Sequence, residues 1–207
     1  ANRAHWTDVG GMVPGSISGQ ATEIYQEGLR IPPVRVGEKD QLNANVLDLI
    51  LRNVRVPDEV LGDIRAQLAS CRVAARHIQV LMERYGKENT LAHFDEILDS
   101  SERRMRAVIK GLPERTLIHE TYLDNDGIDT DRRRIRAAVS IKEDEVLVDY
   151  TGTAPQAKGP VNVTWVMASC FAFQGVKSAL DPKGAINSGS FRPKKVIAPE
   201  GTMLNAN

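Results

Sequence analysis

His5 and Asp8 stand three residues apart in "ANRAHWTDVGGMVPGS", and the paired glycines Gly10 and Gly11 follow at once. An imidazole nitrogen and a carboxylate oxygen are both good ligands for Zn, Mn or Fe. Glycines let the backbone turn sharply beside an ion. Two ligands alone do not make a metal centre, so a purely structural loop is the competing reading of the same residues. The other histidines add little: His77 flanks one apolar helical stripe, His93 lies within a second, and His119 falls in an expected strand. Each reads as structural or as surface.

Other chemistry-bearing patterns fail their tests. "DNDGIDTD" has its glycine at the fourth position rather than the sixth, and no glutamate closes it at the twelfth. It is therefore an Asp/Asn/Gly turn between strands and not an EF-hand loop. Neither G-x-x-x-x-G-K-[ST] nor G-x-G-x-x-G occurs. "TGTAPQAKGP" has the small residues of an anion-binding loop, but Pro155 and Pro160 remove the amide donors a phosphate cradle uses. Any ATP that takes part is expected to bind another chain or segment. No G-x-S-x-G elbow and no catalytic cysteine motif is present.

Charge excludes further classes. Lys plus Arg equals Asp plus Glu at 27 each, which gives no net field toward nucleic acid or membrane. Arg132, Arg133, Arg134 and Arg136 follow Asp124, Asp126, Asp129 and Asp131 closely, a charge-balanced turn. Cys71 and Cys170 are far apart, match no metal or redox spacing and sit among apolar neighbours, so both read as reduced core thiols. No apolar run approaches the ~20 residues of a membrane span. The N-terminus lacks signal-peptide regions, and a cytoplasmic protein is the default. The abrupt ends at Ala1 and Asn207 suggest a segment of a longer polypeptide.

Three stretches must position these residues. Residues 1–45 are dense in Gly and Pro, which forbids a long helix and makes this the loop-rich site segment; "LRIPPVRV" should run extended. Residues 46–113 are helical. From Pro57 the apolar or small positions Leu61, Ile64, Leu68, Cys71, Ala75, Ile78, Met82 and Tyr85 keep one helical face. Pro57, Asp58 and Glu59 suit the start and Gly86 the stop. A second stripe, Leu91, Phe94, Leu98, Ser101, Met105 and Val108, ends at Gly111 and Pro113. With so short a connection the two helices are expected to pack as an antiparallel pair, buried along both stripes.

Residues 114–207 change period. "RIRAAVSIK" and "EVLVDY" alternate around the acidic turn Glu143–Asp144, which implies a hairpin. "VTWVMASCFAFQGVKSALDP" reads as a further helix ending near Pro182. The expected fold class is α+β: an extended Gly/Pro-rich part, a helical hairpin, then antiparallel strands with a further helix.

Six stretches carry a family resemblance: "RAHWTDVGGMVPGS", "EIYQEGLRIPPVRV", "LILRNVRVPDEVLGDIRAQLASC", "YLDNDGID", "VDYTGTAPQAKGPVN" and "INSGSFRPKKVIAPEGTMLN". In order and in wording they resemble the hydantoinase B/oxoprolinase family, and specifically an internal segment of an N-methylhydantoinase B-type subunit. The resemblance implies the B-type subunit of an ATP-dependent cyclic amide hydrolase. In such systems an A-type subunit or domain binds ATP and activates a hydantoin or lactam by phosphorylation, and the B part completes ring opening. It implies a hetero-oligomer acting on a small molecule, and neither nucleic acid nor membrane as a partner.

It also implies a divalent metal ion (Zn, Mn or Fe) with His5 and Asp8 as ligands, a further carboxylate coming from upstream of this chain. Two departures stand out. Arg30 follows "EGL" where family members often carry histidine, and Trp6 replaces a second histidine. Arg30 stays protonated and cannot ligate a cation; its guanidinium suits a phosphate or carboxylate, which makes it the catalytic candidate. The alternatives are a subunit of a ketone carboxylase of the acetone or acetophenone type, and a non-catalytic, partner-binding structural subunit.

Overall fold

The computed structural model describes residues 2–38 and 41–206. The chain forms two compact units, Ala1–Gly86 and Lys87–Asn207.

In the first unit a single turn of helix, α1 (Ile24–Glu27), is the only helix before residue 44 among the described residues, as the glycine and proline density requires. "LRIPPVRV" forms no strand and leads into a two-stranded antiparallel ribbon, β1 (Gly37–Glu38) and β2 (Gln41–Leu42). Helix α2 (Ala44–Leu51) follows, capped by Asn43, whose side chain accepts from the amides of Asn45 and Val46. Helix α3 (Pro57–Tyr85) begins on Pro57 and stops at Gly86 (φ 82°), whose amide bonds Met82 O. Ile50, Val60 and Ile64 form the core, surrounded by Trp6, Leu29, Val46, Leu47, Leu51, Val56 and Leu68.

The second unit starts with α4 (Lys87–Lys110). Strands β3 (Arg115–Leu123), β4 (Arg133–Lys142) and β5 (Glu145–Asp149) are antiparallel, and β6 (Lys194–Ile197) adds to β5 in parallel, giving the order β3-β4-β5-β6. The hairpin turns at Glu143–Asp144 as expected, with Lys142 opposite Glu145 and Glu143 at φ 54°. The parallel pair is the part of the sheet not foreseen. A parallel neighbour needs a long crossover, and α5 (Trp165–Leu180), capped by Thr164, supplies it before a 3-10 turn at Gly189–Phe191. Met105 and Ile109 of α4, Ile141 of β4, Val146 and Val148 of β5 and Ala172 of α5 make the core. The α+β class stands.

Burial corrects two expectations. In α3 only the first turns are covered; Cys71, Ala75, Ile78 and Tyr85 are exposed. In α4 Leu91 and Phe94 are exposed, and Met105 and Ile109 at the far end carry the burial. Periodicity says which residues share a face, not whether anything covers it. A 29-residue helix spans about 43 Å, and the small core of its own unit reaches only its start. The thiols follow the same logic: Cys71 and Cys170 are both free and exposed, not core residues.

Candidate functional site

The glycine loop is built around Asp8. This carboxylate is 3% exposed, and all of its acceptor positions are filled. Oδ1 accepts from the amides of Gly10 (2.8 Å) and Arg55 (3.1 Å); Oδ2 accepts from the amide of Gly15 (3.0 Å) and from Arg55 Nη1 (2.9 Å). Burial works to raise the Asp8 pKa, but the Arg55 and Gly10 amides, the Arg55 guanidinium and the Gly15 amide outweigh it and hold it at about 2.

Arg55 does more than pair with Asp8. Its Nη1 also donates to the carbonyls of Gly10 (3.2 Å) and Val13 (3.0 Å), and Nη2 to that of Gly11 (2.7 Å). The loop accepts this guanidinium because it turns through positive φ at Gly10 (90°) and Gly11 (82°). A Cβ at Gly10 would lie 2.5 Å from the Asn53 carbonyl oxygen, and one at Gly11 2.6 Å from that of Gln26. The close approach at Gly11 has a counterpart in backbone pairing: Met12 donates to Gln26 O (2.8 Å) and Leu29 to Val9 O (2.7 Å), tying residues 26–29 to residues 9–12.

Trp6 anchors the other side. It packs into the first unit's core, and its Nε1 donates to Gln67 Oε1 at 3.1 Å. His5 lies beside this anchor and is exposed. Arg30, one residue beyond the paired segment, is also exposed; its guanidinium carbon sits 5.2 Å from the centroid of the largely exposed Tyr25 ring. A guanidinium spread over an aromatic face keeps its in-plane donors free for an anion.

In this arrangement Asp8 accepts four hydrogen bonds, and His5 is not among its partners. Asp8 spends every lone pair on amides and a cation, and an ion at Oδ2 would face the Arg55 charge directly. Among the described residues no group of three or more His, Cys, Asp or Glu is placed to hold a metal ion. His5 and Arg30 are on the same surface unit as the loop, but neither is a partner of Asp8. Arg55 escaped sequence reasoning: it sits two residues before the helix-starting proline in "NVRVPDEV", where only its position opposite the glycine loop reveals its use.

In the second unit the Asp/Asn/Gly turn is structural, as expected. Buried Asp126 accepts from the amides of Ile128 and Asp129 (2.9 and 2.7 Å), from Arg133 Nη2 (3.0 Å) and from the Lys158 amide (3.2 Å). The Asp129 amide lowers its pKa to about 2 against the effect of burial. His93 Nδ1 meets Asn89 O at 2.7 Å, and His77 and His119 are exposed, in keeping with structural or surface roles. Among the described residues no helix is long and apolar enough to cross a membrane.

The fold and the loop define a mixed α+β protein whose candidate site is a glycine loop anchored on one buried carboxylate. A family model described as hydantoinase B/oxoprolinase matches residues 1–207, and the chain belongs to that family. It is 34% identical over 214 residues to a putative D-/L-hydantoinase, the B-type polypeptide, of Pseudomonas sp. (strain NS671), covering 98% of this chain and 36% of that one. The crystal structure of the ATP-dependent caprolactamase from Pseudomonas jessenii superposes with a TM-score of 0.83 at 33% identity, over 98% of this chain and 35% of that one. An acetophenone carboxylase delta subunit of Aromatoleum aromaticum is 29% identical over 161 residues, 76% of this chain and 23% of that one. The chain thus spans about a third of the length of the hydantoinase and caprolactamase chains it matches.

Proposed function

We propose that this chain is part of the B-type subunit of an ATP-dependent cyclic amide hydrolase acting on a hydantoin or lactam. The observation that carries the reading is the match along nearly its whole length to a B-type hydantoinase polypeptide and to the caprolactamase structure. The chemistry agrees. An unstrained amide resists water; phosphorylating its oxygen makes the carbon electrophilic, so water adds there. The ring nitrogen leaves with a proton, and the resulting acyl phosphate is hydrolysed to carboxylate and phosphate. ATP is then bound by an A-type partner subunit or domain, consistent with the lack of a phosphate loop in this sequence.

On this chain Arg30 is the group that holds the anionic, phosphorylated substrate, its forked donors matching phosphate oxygens. His5 supplies an exposed imidazole beside the loop for contact with the substrate. No step is assigned to Asp8, and none to a divalent ion.

A second reading has its own support, the 29% identity to an acetophenone carboxylase delta chain. There the same surface would hold a phosphorylated enol beside bicarbonate or CO2. The full-length protein, purified with its A-type partner, decides between them when given ATP with hydantoins and lactams, or with ketones plus bicarbonate. Ring opening is expected. Turnover of ketones alone would transfer the assignment to the carboxylase class, and no turnover of either would leave a structural subunit.

A further inference from the structure

We infer that Arg55 and Asp8 form an internal clamp that positions the glycine loop, so that Asp8 serves as the clamp's anchor and not as an ion ligand. The inference adds to the hydrolase reading and rests on it only for the kinetic readout.

The geometry is specific to a guanidinium. One side chain gathers four acceptors from residues 8 to 13: the Asp8 carboxylate and the carbonyls of Gly10, Gly11 and Val13. Gly10 O also accepts from the Ser16 hydroxyl at 2.7 Å, and Val13 O from the Ser16 amide at 3.1 Å. Without Arg55 the Gly11 carbonyl would have to turn toward water, and the loop with it. Asp8 in turn holds Arg55 at both ends, through its side chain and through its backbone amide. Carboxylate, guanidinium and loop carbonyls therefore stand or fall together.

Two consequences follow for the exposed groups. The loop carries His5 at one side, and its backbone pairing to residues 26–29 carries Arg30 at the other. Fixing the loop fixes where both are presented. A divalent ion on Asp8 Oδ2 would have to expel the guanidinium and thereby release the loop, so ion binding and loop order compete for one carboxylate. A lysine cannot substitute, because a single ammonium nitrogen does not span the carboxylate and the Gly11 carbonyl as two guanidinium nitrogens do.

The test uses the full-length protein with its partner and the variants Asp8→Asn, Arg55→Lys and Arg55→Ala. Metal content by mass spectrometry, protease cleavage within residues 8–16, and kcat and KM are measured on each. All three variants are expected to be cleaved faster in the loop and to keep the wild-type metal content. Misplacement of the loop should lower kcat by on the order of 100-fold while KM moves little. Millimolar methylguanidinium should restore protection and kcat to Arg55→Ala but not to Arg55→Lys. Loss of metal from Asp8→Asn overturns the inference. So does an Arg55→Ala protein that matches wild type in cleavage, or one whose loop stays cleavable with methylguanidinium present. Cleavage and metal content need no substrate, so a mistaken hydrolase reading shows separately, as absent turnover in the wild type.

Discussion

Arg104 grips Asp181 with two parallel bonds, Nη2 to Oδ1 at 2.8 Å and Nε to Oδ2 at 3.0 Å, and the ammonium of Lys177 reaches the same carboxylate at 3.1 Å. Asp181 is 6% exposed and Lys177 2%. One carboxylate thus pairs with two cations at the end of α5. The Arg104 bonds, opposed by burial and assisted by Lys177, hold the Asp181 carboxyl far below the ordinary carboxylate range.

Removing that carboxylate strands a buried charge. Asp181→Ala should destabilise the second unit by about 3–5 kcal/mol, the usual effect of breaking a buried pair from one side. The sign with pH is set by the depressed carboxyl. Its contribution is fully present above the ordinary value of 3.8 and is lost as pH falls below it. Acid titration followed by circular dichroism should show the wild type losing stability in that range and Asp181→Ala losing much less.

Lys194 gives the opposite case, a cation whose burial works against its charge. It is 4% exposed, and its ammonium has the Phe173 carbonyl at 3.3 Å and the Phe191 ring at 4.9 Å for company. Burial, with the Lys177 charge added and Asp181 opposing, lowers its pKa from 10.5 to about 8. Between those values the unfolded chain binds the proton and the folded one releases it, so stability rises with pH across that window. Lys194→Met should be more stable than wild type below pH 8 and lack that rise in urea denaturation. Parallel pH profiles for the two proteins would refute the assignment.

Leu68 is half-buried against the core of Ile50, Val60 and Ile64. Leu68→Asp should lower stability by about 1–3 kcal/mol, since the carboxylate has no partner there. Val73→Asp, on the exposed stretch of the same helix, should cost far less by thermal melting.

Arg30 and His5 are tested by turnover. Arg30→Lys should lose much of the rate, because a point charge does not reproduce a forked contact with phosphate. His5→Ala should lower turnover while the melting temperature holds, as His5 is exposed. His93→Ala, on the surface of α4, is the control and should leave both rate and stability unchanged. If His5→Ala is as active as wild type, His5 has no part in the reaction.

Much of this architecture is legible in the sequence because it depends on neighbours along the chain. Pro57 and Gly86 mark both ends of α3, and the period-two pattern with Glu143–Asp144 marks the hairpin. What the sequence hides depends on distant partners. Asp8 and Arg55 are 47 residues apart, and nothing in either neighbourhood announces the other. His-x-x-Asp offers ligand residue types, and the family resemblance makes it a ligand pair, yet three backbone amides and one guanidinium occupy the aspartate. The same limit explains the stripes of α3 and α4: amphipathic order is local, while coverage is not.

Strand β3 carries a consequence of its own. Eight of its nine residues are exposed, including Leu117, Ile118 and Tyr122, and it pairs only with β4 among the described residues. Its outer rim therefore presents a row of unused amide donors and carbonyl acceptors. No proline interrupts it, and its charges are confined to Arg115 and Glu120. Such a rim templates the addition of another strand. Residues 1–207 handled in isolation should therefore grow into higher-order sheet assemblies at high concentration, and Ile118→Lys or Leu117→Pro should hold them apart.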